Sequence, residues 1–211
     1  MDCRLDSLCR QMNGRLESQC KDTKNKSMAE KKNAISYESI MKDLKARKFA
    51  PVYVLMGDEP FYIDKICDYI AENVLQPEER DFNQTVLFGA DTTAVQVVDQ
   101  CKGYPMMAEF RVVIVKEAQN LKSLDALEKY LEKPVKSTVL VICNKNGSID
   151  RRKKFIPRAE QVGVVFESKK LYDRQLPGFI ETYLKARKAT IEPKAVQMVA
   201  DHIGADLHRL T

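Results

Sequence analysis

The chain has 211 residues, of which 44% are hydrophobic and 31% are charged, a composition typical of a soluble globular protein with a sizeable core. No apolar run approaches the ~20 residues that span a membrane, and the N-terminus lacks the apolar stretch of a secretory signal. The net charge is +5, but residues 1–34 contribute +3 of it, so the near-neutral remainder does not have the charge of a strong autonomous binder of nucleic acid.

Residues 1–34 are polar, with clusters of Lys, Asn and Ser and only weak helical periodicity, which predicts a mobile tail. Met28 opens a stretch that resembles an ordinary bacterial start. We therefore expect the first 27 residues to be an upstream extension that contributes little to the fold.

From residue 36 onward, helical and strand patterns alternate. Apolar runs predict strands at 51–57, 82–89, 111–118, 137–144 and 163–168. Helical spacing predicts helices at 36–48, 59–75, 92–103 and 123–133, with Ser36 as the first N-cap and Gly103 closing the third, and a helix at 150–161 that Pro157 breaks. Because the strands are almost continuously apolar, this order predicts an α/β domain over residues 35–170, a parallel five-stranded sheet with helices on both faces.

After residue 170 the pattern is helical only. Helices are predicted at 173–188 and 192–204, and a third begins at 205 with Asp206 as its N-cap. We expect this third helix to be too short to bury an apolar face. Residues 171–211 are therefore predicted to be the start of a helical domain that is truncated.

The turn after the first strand does not have the sequence of a phosphate-binding loop. Such a loop carries GxxxxGK[ST], whereas here Gly57 is followed by Asp58 and Glu59, two negative charges where a polyphosphate would sit. We favour the interpretation that both carboxylates cap the following helix and complement its dipole. The third strand also lacks the paired acids of a magnesium site, since Lys116 precedes a single Glu117. The layout thus suggests an ATPase without its chemistry, and we expect no cofactor.

Other catalytic or metal sites find little support in the sequence. There is no GxSxG motif, and the six-residue spacing of His202 and His208 does not place them on one helix face. The six cysteines form no CxxC pair, so we expect no metal site and predict reduced thiols, as in a cytoplasm. Cys143 has no nearby histidine in sequence and is interpreted as a buried, inert thiol.

The stretch KGYPMMAEFRVVIV, residues 102–115, places Met106 and Met107 side by side behind Pro105. Adjacent residues cannot share one face of a strand or helix, so a single core contact does not explain both methionines. Two interpretations are open at this point. Both side chains pack against the protein's own sheet, or they are presented to a partner.

Four stretches of the chain resemble the delta subunit of bacterial DNA polymerase III, the clamp-loader component that opens the sliding clamp. They are PVYVLMGDEPFYIDKI (51–66), GYPMMAEFRVVIVKEA (103–118), STVLVICNKNGSIDRRKK (137–154) and VADHIGADLHRLT (199–211). The GDE turn with its aromatic residues and the Pro-apolar-apolar-Ala-Glu-x-Arg stretch are more specific together than either is alone. The resemblance implies an AAA+-type domain without a P-loop and the first part of a helical lid, with the family's remaining lid helices and its C-terminal collar domain absent.

The resemblance also implies a site and a role. Pro105, Met106, Met107 and Phe110 fall on the positions that present apolar side chains to a pocket on the clamp, and two methionines imply a soft anchor. The protein would be a non-catalytic part of a DNA-directed DNA polymerase, a nucleotidyltransferase complex in the cytoplasm. Its partners would be the sliding clamp, other loader subunits through the missing C-terminal part, and DNA indirectly through the complex. ATP on neighbouring subunits would control exposure of the surface.

A basic stretch lies after the fourth predicted strand and comprises Arg151, Arg152, Lys153, Lys154 and Arg158. A contact with the DNA backbone is one interpretation, and a solvated helix face is the one that we favour. Two other classes of function stay open, a degenerate nucleotide-binding enzyme and an autonomous nucleic-acid-binding protein. ATP binding would support the first, and salt-dependent DNA binding by the isolated chain would support the second.

Overall fold

A five-stranded parallel sheet forms the centre of the fold in the computed structural model, which describes residues 35–204 and 206–210. The predicted mobile tail and upstream extension lie outside the described residues. The strands are β1 (Val52–Gly57), β2 (Gln84–Phe88), β3 (Arg111–Lys116), β4 (Thr138–Lys145) and β5 (Val164–Ser168). Their order in the sheet is β2-β3-β4-β1-β5, and every neighbouring pair is parallel. The predicted fold class is thus confirmed.

Helices cover both faces of this sheet, because alternate side chains of each strand point to opposite sides. In chain order they are α1 (Tyr37–Lys45), α2 (Pro60–Asn73), α3 (Arg80–Asn83), α4 (Ala94–Lys102), α5 (Asp125–Tyr130), α6 (Phe155–Val162), α7 (Leu176–Ala186), α8 (Pro193–Ile203) and α9 (Leu207–Leu210). On one face, Leu140 and Ile142 of β4 join a core with α4, α5 and α6. On the other face, Val139 and Val141 join a core with α1 and α2.

Three local predictions need correction. The predicted second strand began at residue 82, but α3 occupies Arg80–Asn83 and β2 starts only at Gln84. Pro157 does not break α6, because it is the third residue of the helix, within the first turn, where a backbone N–H has no intrahelical partner to lose. Residues 150–154 form a turn before that helix, so Arg158 is the one residue of the basic stretch that lies on a helix.

The helical segment after β5 packs its apolar side chains onto α2. A third apolar cluster joins side chains of α2, α7, α8 and α9, namely Phe61, Leu176, Ile180, Val196, Ala200 and Leu207. Leu207 is 0% exposed, so the expectation that so short a helix could not bury an apolar face is wrong, because α2 supplies the covering surface. Asp206 caps α9 as predicted, since its Oδ1 accepts from the backbone N–H of His208 and of Arg209. Among the helices of residues 35–204 and 206–210, none is long and apolar enough to cross a membrane.

Candidate protein-binding site

Residues 103–110, here called the methionine loop, connect α4 to β3 at the edge where the parallel strands begin. Within it Met106 is 61% exposed and Met107 is 102% exposed, so neither methionine packs into the core. The interpretation that both cover the protein's own sheet is therefore wrong. Met107 also has a φ of 54°, a left-handed conformation that is uncommon for residues other than glycine. The two apolar side chains are thus displayed to solvent by a specific backbone geometry.

The base of the methionine loop is fixed at both ends. At its start, Arg111 Nη2 donates to Gln100 Oε1 at 2.6 Å, and a side chain on Gly103 would collide with that guanidinium. At its end, the ring of Phe110 stands edge-on to Phe49 with centroids 5.6 Å apart. Pro105 and Phe110 are half-buried, so of the four predicted contact residues only the methionines are largely exposed.

A buried asparagine holds the middle of this loop. Asn83, the last residue of α3, is 0% exposed. Its Oδ1 accepts from the Met106 backbone N–H at 2.6 Å, and its Nδ2 donates to the Met106 carbonyl at 2.9 Å. Sequence reasoning missed Asn83, because it assigned this position to a strand and no local pattern links it to a residue 23 positions later.

The edge strand β2 carries a second set of exposed apolar side chains. Val86 and Phe88 are exposed and lie on the sheet face that α2 covers further inward. They stand beside Ile114 and Lys116 of β3, on the outermost strand of the sheet. Phe82, just before Asn83, is exposed as well. The sequence analysis did not single out these residues, because edge and central strands look alike in their hydrophobic pattern.

The turn predicted as a degenerate phosphate loop directly follows β1. It lies where the parallel strands end, whereas the methionine loop lies where they begin. Its backbone donors are already used: the N–H of Gly57 donates to the Gly147 carbonyl and that of Asp58 to the Ser168 carbonyl, each at 3.0 Å. Gly57 has a φ of 137° and lies against the Ser168 backbone, so a side chain would not fit. These N–H groups therefore do not form a cradle for phosphates.

The carboxylate of Glu59 caps α2 by accepting from the Phe61 N–H at 3.2 Å. Asp58 was predicted to share this role, but it lies one residue before the N-cap with an exposed side chain, so the prediction holds for Glu59 alone. Glu59 is buried, and this burial raises the pKa of its carboxyl although the hydrogen bond from Phe61 acts to lower it. The raised pKa of Glu59 is thus explained by the burial of its carboxyl as the N-cap of α2.

The basic stretch after β4 is partly neutralised by carboxylates. Arg151 pairs with Glu167 at 2.6 Å, and Arg152 pairs with Asp150 at 3.1 Å. Arg158 lies 3.0 Å from Glu128 and 2.9 Å from Glu132, and Lys153 and Lys154 are exposed. This arrangement favours a solvated surface over a phosphate-binding patch, although residues 151–154 form a turn and only Arg158 lies on the predicted helix.

Two buried thiols, one on β4 and one on α2, form a hydrogen-bonded pair. Cys143 of β4 and Cys67 of α2 are both buried. Their mutual hydrogen bond lowers the pKa of the Cys67 thiol, whereas the same hydrogen bond, together with burial, raises the pKa of the Cys143 thiol. A raised pKa keeps a thiol protonated and unreactive. Within residues 35–204 and 206–210, no three His, Cys, Asp or Glu side chains are placed to hold a metal ion.

Comparison with known proteins identifies a family for this fold. DNA polymerase III subunit delta of Bacillus subtilis is 27% identical over 168 residues, which are 75% of this chain and 48% of that protein. The solved structure of the Bacillus subtilis DNA clamp loader delta protein has the same fold, with a TM-score of 0.68, 24% identity, and coverage of 83% of this chain and 56% of that one. The chain thus spans about half the length of these relatives. The sequence model of the family described as DNA polymerase III, delta subunit, matches residues 53–169, more than half of the chain, and the chain therefore belongs to that family.

Proposed function

We propose that this chain is the part of a clamp-loader delta subunit that binds the DNA polymerase III sliding clamp and favours its opening during DNA replication. The observation that carries the proposal is the exposed Met106–Met107 pair on a loop whose backbone is fixed from the interior. Family membership supplies the class of partner, and the loop supplies the contact. Pro105 and Phe110 are half-buried in the same loop, and the two exposed methionines are the anchor.

The physical character of the pair suits a pocket on a partner protein. Two adjacent exposed methionines gain free energy when their apolar surface leaves water. Methionine is unbranched and polarizable, so it adapts to irregular pockets better than a branched side chain does. A left-handed residue such as Met107 costs roughly 1–2 kcal/mol, a strain that the surrounding structure must hold in place.

The proposed action on the clamp is mechanical and requires no covalent chemistry in this chain. A binding protein shifts a partner between two shapes only by binding one of them more tightly. The methionine loop would bind better to a clamp whose interface is distorted and cannot close. ATP would act on neighbouring loader subunits, which would meet the parts of a delta subunit that lie beyond residues 1–211. DNA would be reached through the assembled complex.

The direct test is binding of the purified cognate sliding clamp to immobilised chain, measured by surface plasmon resonance. We expect saturable binding that is abolished or strongly weakened when both methionines are replaced by alanine. Exposed methionine elsewhere provides the matched control, since Met198 of α8 is 64% exposed on another element. Loss of binding in Met198→Ala equal to that in the double variant, or no clamp binding by the wild type, would contradict the proposal.

The two alternative functions have less support. A degenerate nucleotide-binding enzyme would need free backbone donors after β1, but Gly57 and Asp58 already donate to carbonyls. An autonomous nucleic-acid-binding protein would need a concentrated positive surface, but three of the five cations of the basic stretch, Arg151, Arg152 and Arg158, pair with carboxylates. No observation favours either alternative over clamp binding.

A further inference from the structure

We infer that Asn83 is a positioning residue that holds the methionine loop in its binding conformation before any partner arrives. The inference rests on the proposed function for its link to clamp affinity, but its structural part is independent of any partner. Asn83 is fully buried beneath the loop and is therefore not part of the surface that a partner would contact.

The amide of Asn83 is used completely. Its Oδ1 accepts from the Met106 N–H at 2.6 Å. Its Nδ2 has two hydrogens, which it donates to the carbonyls of Met106 at 2.9 Å and Glu79 at 3.0 Å. The Asn83 amide thus exchanges two hydrogen bonds with the backbone of Met106, as two directly opposite residues do in an antiparallel sheet. A carboxylate of the same size has no donor for the two carbonyls, and a leucine has neither a donor nor an acceptor.

The burial of Asn83 couples the loop to the interior. A buried amide that loses its partners is costly, because no water replaces them. If the Met106 peptide shifted while the loop still covered Asn83, the Oδ1 and one Nδ2 hydrogen of Asn83 would be buried without a partner. The interior therefore disfavours every loop conformation that moves the Met106 peptide, and the loop acts as part of the folded core although its side chains are in solvent.

The geometry of Met107 shows why such a restraint matters. Met107 adopts a φ of 54°, which a free loop would seldom populate at a residue other than glycine. Asn83 fixes both polar groups of the preceding residue, Met106, and so fixes the point from which Met107 departs. The apparent affinity of a site falls in proportion to the fraction of molecules in the competent conformation. Asn83 raises that fraction.

The first test does not involve the clamp. Amide hydrogen exchange followed by NMR should show the Met106 amide exchanging at least tenfold more slowly than that of Met107 in the wild type. In Asn83→Ala this protection should disappear. Asn144→Ala is the matched control. Asn144 is also a buried asparagine whose Nδ2 donates to a backbone carbonyl, that of Gly147, but it lies near the end of β4, where the parallel strands finish. An unprotected Met106 amide in the wild type would overturn the inference, even if Asn83→Ala fails to fold.

The second test links Asn83 to the methionines by a double-mutant cycle with purified sliding clamp. Asn83→Ala should weaken clamp binding by about tenfold, which corresponds to about 1.4 kcal/mol. In a background that already carries Met106→Ala and Met107→Ala, the same change should have less than a twofold effect. A general loss of stability would instead lower affinity equally in both backgrounds or follow Asn144→Ala, and either result would overturn the inference.

The results also separate the two proposals. If the double methionine variant binds the clamp as tightly as the wild type, the proposed function fails, and hydrogen exchange alone decides the role of Asn83. If the double variant binds weakly but Asn83→Ala binds normally, the proposed function stands and the inference fails.

Discussion

The imidazole of His208 packs edge-on against the ring of Phe61, with the two centroids 5.5 Å apart. Phe61 is the second residue of α2, directly after the Gly57–Glu59 turn, and His208 belongs to α9 at the other end of the described chain. His208 Nε2 also lies 3.5 Å from a carboxylate oxygen of Asp64, whose other oxygen is 2.7 Å from Lys145 Nζ. The helical segment thus covers the start of α2, the place where a P-loop ATPase would present its helix N-terminus to phosphates.

This coverage leads to a prediction about nucleotide. We expect no saturable binding of ATP or Mg²⁺-ATP at millimolar concentration in isothermal titration calorimetry. The backbone donors of Gly57 and Asp58 are occupied, and the negative charges of Asp58 and Glu59 oppose a polyphosphate. A saturable isotherm would favour the degenerate-enzyme alternative.

The Met106→Ala, Met107→Ala double variant should lose clamp affinity and keep its fold. Burial of a methionine side chain is worth roughly 1.5–3 kcal/mol, so truncation of the pair should cost about 2–4 kcal/mol if burial on the clamp is incomplete. That corresponds to roughly 30- to 1,000-fold in affinity. Because both side chains are exposed in the free chain, thermal unfolding should be almost unchanged. Unchanged affinity together with a collapsed melting temperature would refute the anchor role.

Leu207→Ala should destabilise the protein although Leu207 lies in the last short helix. Leu207 is fully buried in the cluster around Phe61, and truncation of a buried leucine typically costs about 2–5 kcal/mol. Urea unfolding of the wild type and of Leu207→Ala measures the decrease in the free energy of unfolding. Met198→Ala serves as the control, because its exposed side chain has little burial to lose and should change stability by less than about 0.5 kcal/mol. A similar small effect of Leu207→Ala would show that α9 does not pack stably on α2.

Much of the fold follows from local patterns in the sequence. Continuous apolar runs such as Val112–Val115 mark the central strands, because both of their faces are buried, and the alternation with helices predicts a parallel sheet. Local chemistry also predicts the caps Ser36 and Asp206, since each accepts from backbone donors two or three residues away. Such interactions need no knowledge of distant parts of the chain.

The remaining features depend on contacts between distant residues. The side chain of Asn83 forms hydrogen bonds with the backbone of Met106, 23 residues later in the chain. No local sequence pattern therefore predicts where α3 ends or which shape the methionine loop takes. Leu207 finds its cover on α2, far back in the chain, which is why a one-turn helix could not be predicted to be buried. The adjacency of the two methionines indicated only that a single core contact could not explain both, and their exposure to solvent became evident from the structure.

The last prediction concerns the pH dependence of stability at Glu59. Burial raises the pKa of this carboxyl in the folded state, while in the unfolded chain it titrates near its ordinary value of about 4.3. The native state therefore binds the proton more tightly, so the contribution of Glu59 to stability is complete below the unfolded pKa and is lost as pH rises through the folded pKa. Glu59→Gln removes this titration and keeps an oxygen that can accept from the Phe61 N–H. The free energy of unfolding of the wild type minus that of Glu59→Gln, measured with urea, should fall as pH rises from about 4 toward 7. A difference that stays flat or increases over that range would show that burial does not govern the titration of Glu59.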